Sequence, residues 1–187
     1  SNTIKIGVIT PLSGPIAIYG ESTLKGIKLA TEELNNSGGI KGEKVELIIE
    51  DNNFYNMEME KSVKKMINID GIKALLGPVT STISLKAAPI MQEAKIPMIT
   101  PTGTKSEITK VGDYITRTCF VDEYQGVIMA NFAARKLEAK TAVLMTDLNS
   151  NYSKNLAEKF KKIFENSGGK IISEESYRVR DVDFSSQ

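Results

Sequence analysis

The sequence predicts an α/β protein with a parallel sheet, organised as one complete lobe and the start of a second. Three observations predict it. Short apolar runs with β-branched residues alternate with stretches whose apolar residues recur at helical spacing, the pattern of buried parallel strands joined by helical crossovers. Glycine pairs close helical stretches, as at Gly38-Gly39. The alternation also restarts after Cys119-Phe120-Val121.

The elements follow in chain order. Ile4–Thr10 (IKIGVIT) is a compact apolar strand, and Leu24, Ile27, Ala30 and Leu34 mark the first helix. Val45–Glu50 is the second strand, and Met59, Val63, Met66 and Ile67 mark the second helix. Lys73–Leu76 is a third strand, ended by Gly77-Pro78; Ile83, Ala87, Ile90, Met91 and Ala94 give the third helix. Pro97–Thr100 is a fourth strand, cut off by Pro101, and Tyr114–Thr118 reads as a fifth. Beyond Val121, a helix carrying Val127, Ala130, Ala133 and Leu137 precedes the strand Thr141–Thr146. A helix carrying Leu156, Phe160, Ile163 and Phe164 precedes the strand Lys170–Tyr177. The crossovers should be right-handed.

Asn36-Ser37-Gly38-Gly39 and Asn166-Ser167-Gly168-Gly169 close two of these helices, with Asp51 and Asp181 following at equal offset. The echo suggests two similar lobes. The second lobe shows only two strands, too few for a stable α/β layer on their own. It is therefore expected to be poorly packed, or completed by another chain through swapping or self-association. A bare sheet edge near Thr141–Met145 would carry an aggregation risk.

Composition excludes several function classes. With 187 residues, 41% hydrophobic and 25% charged, the chain is neither disordered nor collagenous. No apolar run reaches the length of a membrane-spanning helix. A net charge of +1, with no basic stripe, lacks the footprint of a nucleic-acid binder. There is no histidine and a single cysteine, Cys119, so histidine-based triads, histidine metal sites and a disulfide within the chain are impossible. The opening Ser1-Asn2 reads as the remnant of a cleaved tag, which would leave room for a removed leader.

Catalytic motifs fail on spacing and charge. Between the first strand and its helix, five residues separate Gly14 from Gly20, and Glu21 stands where a phosphate loop requires lysine. No Gly-x-Gly-x-x-Gly follows a strand, and no Gly-x-Ser-x-Gly is present. The adjacent pairs Glu32-Glu33 and Glu174-Glu175 read as solvated surface. Asp51 and Asp147 end strands but have no visible metal partners. Cys119 sits in an apolar stretch and reads as a buried, inert thiol. No cofactor and no metal is expected.

The constructive signal is a set of hydroxyls at the carboxyl ends of strands, where open α/β sheets bind ligands. Thr10 and Ser13 follow the first strand, Thr80-Ser81-Thr82 the third, and Thr100, Thr102 and Thr104 the fourth. Ser81 is placed to cap the third helix or to offer its hydroxyl and amide to a carboxylate.

These residues carry a resemblance. The chain resembles the periplasmic binding proteins for branched-chain amino acids, through Ile4–Gly20, Gly38–Gly42, Glu50-Asp51, Gly77–Ser84, Ile96–Thr104, Arg117–Gly126 and Asp183-Phe184-Ser185. It supplies about the first half of that family's length. The resemblance implies the type I periplasmic-binding-protein fold, Rossmann-like with helices on both faces of a parallel sheet. It implies a first lobe over 1–118, a crossover at 119–122 and a partial second lobe over 123–187, closing as a cleft on a small ligand. It implies that Ser81 and Thr104 bind an amino acid's carboxylate, and that the Thr102 carbonyl and the Thr104 hydroxyl meet its ammonium. Thr80 is counted among these ligand-binding residues. Tyr19 would line the side-chain pocket, and Tyr152 resembles the family's second-lobe ligand-binding tyrosine, which glycine usually follows but Ser153 follows here. The disulfide of some members is absent, because Phe54 and Thr80 stand at the aligned places. An acidic ammonium ligand would lie beyond Gln187.

Neutral hydroxyls and backbone groups can hold a zwitterion without burying an unpaired protein charge. The sequence thus reads as a solute-binding receptor for an amino acid or similar small carboxylate, located in the periplasm or at the cell surface, with lipid anchoring left open. It would feed a membrane permease of an ABC importer, with no nucleic-acid partner and no catalysis. The rivals are a sensor domain of a signalling receptor, since one fold serves both, and an α/β hydrolase or ligase using Asp51 or Cys119.

Overall fold

The computed structural model describes residues 3–53 and 59–185. The chain divides into two compact units, Ser1–Gly103 with Glu107–Cys119, and Thr104–Ser106 with Phe120–Gln187.

The first unit is built on five parallel strands: β1 (Thr3–Thr10), β2 (Lys44–Asp51), β3 (Ala74–Leu76), β4 (Met98–Thr100) and β5 (Ile115–Arg117). Their spatial order is β2-β1-β3-β4-β5, so the strand order reverses between β1 and β3. Ligand crevices form at such a reversal, outside the carboxyl ends of the strands. Helix α1 (Ala17–Asn36) links β1 to β2, α2 (Met59–Lys65) precedes β3, and α3 (Ser81–Ala94) links β3 to β4. Right-handed crossovers put α1 on one face and α2 and α3 on the other. On that second face the core closes: Met59, Val63, Met66, Ala87, Ala88 and Met91 pack against Ile9, Leu75, Met98 and Ile115, all at most 3% exposed. Helix α2 widens into a π-helical turn at Met66–Asp70, ended by Gly71 at φ 72°.

The second unit holds α4 (Asp122–Asn131), β6 (Thr141–Asp147), α5 (Asn151–Asn166) and β7 (Lys170–Tyr177), with β6 and β7 parallel. The helical spacing that carries α4 on to Leu137 is met by a second π-helical turn, Phe132–Lys136. Helices α4 and α5 approach closely at Gly126, where a Cβ would lie 2.7 Å from Cβ of Lys159.

The repeated Asn-Ser-Gly-Gly motif is one structure made twice. In α1, the Gly38 and Gly39 amides donate to the Asn35 and Leu34 carbonyls; in α5, those of Gly168 and Gly169 donate to Glu165 and Phe164. Both first glycines hold positive φ, 105° and 85°. These are Schellman closures, with glycine where a side chain would be strained. The echo breaks at the strands. A turn bridging Ile40 and Glu43 delays β2, while β7 starts directly after Gly169. Asp51 therefore ends β2, whereas Asp181 lies beyond β7 and accepts from the Arg178 amide.

Candidate functional site

The first unit's hydroxyls gather around Thr100, the last residue of β4, which is fully buried. Its Oγ1 donates to the Pro78 carbonyl at 2.6 Å and accepts from the Gly103 amide at 2.9 Å. Ser84 Oγ lies 3.0 Å from the Pro78 carbonyl and 3.2 Å from Thr100 Oγ1. Two residues beyond Thr100, Thr102 Oγ1 donates to the Val79 carbonyl at 2.5 Å. Arg117, from β5, donates to the Gly103 carbonyl at 2.9 Å and to Thr109 Oγ1 at 2.8 Å. The loop after β3 and the turn after β4 are thus clamped together by side-chain bonds. Gly103 is required by the closeness, since a Cβ there would lie 2.6 Å from Thr100 Oγ1.

The clamp sets the start of α3. Here the expectation that Ser81 caps the helix is corrected. Thr80 is the cap: it is extended (φ −103°, ψ 149°), and its Oγ1 accepts from the Ile83 amide at 3.4 Å. Ser81 is the first helical residue and is 3% exposed. Its amide belongs to the turn for which a helix supplies no acceptor of its own, at the positive end of the dipole. The structure therefore gathers Thr80, Ser81 and Thr102 on one clamped rim of the first unit. Tyr19 stands on the first turn of α1, 63% exposed. Phe54, one of the two places aligned with the disulfide, lies outside the described residues.

The second unit holds the other two predicted residues. The Thr104 carbonyl accepts from the Asp122 amide at 3.0 Å, and its hydroxyl is buried with no hydrogen-bond partner among the described residues. Tyr152 is the second residue of α5, 38% exposed, its hydroxyl 3.3 Å from Gln125 Nε2. Ser153, in the first turn of α5, makes two bonds, donating its amide to Ser150 Oγ and accepting the Asp147 amide at its own Oγ.

The carboxylates at strand ends hold turns. Asp51 accepts from the Leu12 amide at 2.9 Å and the Asn53 amide at 2.7 Å. Partial burial pushes its pKa up, but the Ser13 hydroxyl and the Leu12, Asn53 and Ser13 amides outweigh this and hold it below the usual 3.8. Asp147 accepts from the Asn149 amide at 2.9 Å. Cys119, expected to be buried, is half-buried, because β5 ends at Arg117 and the chain leaves the sheet there. Among the described residues, no three His, Cys, Asp or Glu side chains are grouped to hold a metal ion, and no helix is long and apolar enough to cross a membrane. A groove of about 300 Å³ beside α5, lined by Leu144, Lys154 and Glu174 among others, includes none of the predicted site residues.

Sequence reasoning missed Ser84, Arg117, Asp122 and Asn155. Only a hydroxyl at the end of the fourth strand hinted at the clamp. Nothing in the spacing of Asp122 and Asn155 announces that they meet.

A profile described as periplasmic binding protein matches residues 3–187. The Leu/Ile/Val-binding protein BraC3 of Rhizobium johnstonii is 33% identical over 183 residues, covering 97% of this chain and 49% of that protein. The leucine-binding protein LivK of Thermotoga maritima superposes with a TM-score of 0.92 at 36% identity, over 99% of this chain and 52% of that one. LivJ of Streptococcus pneumoniae, in complex with isoleucine, gives 0.90 at 34%, over 99% and 52%. A solute-binding protein of Rhodopseudomonas palustris, in complex with 3,4-dihydroxybenzoic acid, gives 0.87 at 27%, over 98% and 50%. The chain spans about half the length of the curated relatives it matches.

Proposed function

Because the chain belongs to the periplasmic binding protein family, we propose that it takes part in capturing a small carboxylate, foremost a branched-chain amino acid, outside the cytoplasm for delivery to an ABC importer. The clamped rim of the first unit carries this reading. Thr100 ties the loop after β3 to the turn after β4, and a loop held by such bonds loses little order on binding a ligand. Ser81 is the carboxylate donor. Thr80 shapes the turn as its cap, and Thr102 contributes its main-chain carbonyl as an acceptor. Thr104 and Tyr152 are the second unit's contributions, and Tyr19 is an aromatic wall. The role is binding without turnover, and no residue is assigned to catalysis.

The ligands of two similar structures, isoleucine and 3,4-dihydroxybenzoic acid, share a carboxylate and differ in everything else. That supports carboxylate capture as the common function and keeps aromatic acids as a second ligand class. A thermal-shift series with leucine, isoleucine and 3,4-dihydroxybenzoate tests both. A ligand at about a hundred times its dissociation constant adds about 2.7 kcal/mol to the folded state, which raises the midpoint by roughly 5–10 °C. The class that raises it is the ligand class; no rise with any of the three removes the proposal.

A further inference from the structure

Helices α4 and α5 are fastened together within the second unit. Asp122 opens α4 and is fully buried, and its Oδ2 accepts from Asn155 Nδ2 of α5 at 3.0 Å. One turn further on, Gly126 admits α5 closely: a Cβ there would lie 2.7 Å from Lys159 Cβ and 3.3 Å from the Phe160 nitrogen. The two contacts fall at equal offset along the helices, so together they fix register and separation. Gln125 stands between them in sequence. In this frame its side chain meets the first turn of α5, with Nε2 3.3 Å and Oε1 3.4 Å from the Tyr152 hydroxyl.

This contact adds little to folding. Tyr152 is 38% exposed and Gln125 is half-buried, and a bond between such groups largely replaces bonds to water. What it supplies is order. An exposed tyrosine moves among rotamers and loses that freedom when it closes on a ligand, whereas one whose hydroxyl is already held loses less. The carboxamide also meets the hydroxyl with its donor and its acceptor ends alike. A phenol donates one hydrogen bond and accepts others. Held by Nε2, the hydroxyl keeps its proton for an acceptor on a ligand; held by Oε1, it keeps its lone pairs for a donor.

We propose that Gln125 is a positioning residue for ligand capture, holding the Tyr152 hydroxyl in place so that Tyr152 engages a ligand with little loss of order. Gln125 acts through Tyr152 and not by touching the ligand. Asp122–Asn155 and the close approach at Gly126 are the frame that brings the two side chains together. The inference rests on the amino-acid reading above and deepens it, because it gives α4 a part in binding that the reading leaves to α5 alone.

A double-mutant cycle of Gln125→Met and Tyr152→Phe, read by titration calorimetry of the chain with leucine, tests it. Gln125→Met should weaken leucine binding roughly three- to tenfold, the worth of one neutral hydrogen bond. In the Tyr152→Phe background the same change should alter affinity by less than about twofold, because no hydroxyl remains to be held. Gln125→Asn keeps the polarity but falls one methylene short; it should lose as much as Gln125→Met, and it carries the test if Gln125→Met does not fold. Each single variant should melt within about 2 °C of wild type, as surface substitutions do. Without ligand, the NMR signal of the Tyr152 Cζ carbon, assigned by its loss in Tyr152→Phe, should move in Gln125→Met. Equal weakening in both backgrounds, or a Tyr152 signal that does not move, overturns the proposal. Wild type that binds leucine no better than Gln125→Met overturns the proposal and leaves the amino-acid reading standing. No leucine binding by wild type overturns both.

Discussion

Replacing Thr100 with valine removes the hydroxyl on which the rim of the first unit is hung and keeps the side chain's shape. In the wild type this oxygen donates to the Pro78 carbonyl at 2.6 Å and accepts from the Gly103 amide at 2.9 Å. The Pro78 carbonyl keeps Ser84 Oγ at 3.0 Å, so its loss is one ordinary bond, about 1 kcal/mol. The Gly103 amide is buried and loses its acceptor, which costs about 1–3 kcal/mol. Thr100→Val should therefore destabilise the protein by about 2–4 kcal/mol, roughly 4–16 °C in thermal midpoint at about 2–4 °C per kcal/mol. Thr100→Ser retains the hydroxyl and loses only a buried methyl, at about 1 kcal/mol. Circular-dichroism melts of both variants read the difference. The valine variant should also bind carboxylate ligands more weakly, since the Ser81 turn is no longer tied to the turn after β4. A valine variant melting within about 1 °C of wild type, or a serine variant as damaged as the valine one, would show that the clamp does not hold the loops.

Ser81→Ala should weaken ligand binding about tenfold by calorimetry, whereas Thr80→Ala should lower stability by about 1 kcal/mol, because Thr80 is the cap. Unchanged affinity in Ser81→Ala would take that residue out of the site. The Asp51 pKa is lowered in the folded state, so its contribution is present above the ordinary value of 3.8 and is lost as pH falls through the lower folded value. Urea midpoints should accordingly fall more steeply below pH 3.8 for wild type than for Asp51→Asn, and parallel curves would refute the role of its bonds. The second unit presents Val143 and Met145 on β6 at 55% and 46% exposure, and β6 pairs only with β7 among the described residues. The chain should self-associate, its mass rising with concentration in sedimentation, and Val143→Thr with Met145→Thr should reduce this; a monomer at every concentration would refute it.

Much of the fold is legible in the sequence because strands and helices in a parallel sheet leave local marks. The run Ile4–Thr10 reads as a buried strand from its composition alone and forms β1. Gly38-Gly39 and Gly168 mark helix ends because only glycine takes the positive φ found there without strain. The limits of locality appear at Thr80 and Ser81. Both can cap a helix, and which one does depends on the extended backbone at Thr80 that the loop after β3 sets.

The order and type of the elements, the absence of histidine chemistry and the placing of hydroxyls at strand ends follow from the sequence by itself, through periodicity, glycine stereochemistry and residue chemistry acting over a few positions. Only the tertiary structure decided that Thr100 binds Pro78 across 22 residues and that Asp122 meets Asn155 across 33. Those pairings depend on how the chain packs at long range. They leave no periodic trace, because a single side-chain hydrogen bond constrains two positions and says nothing about the residues between them.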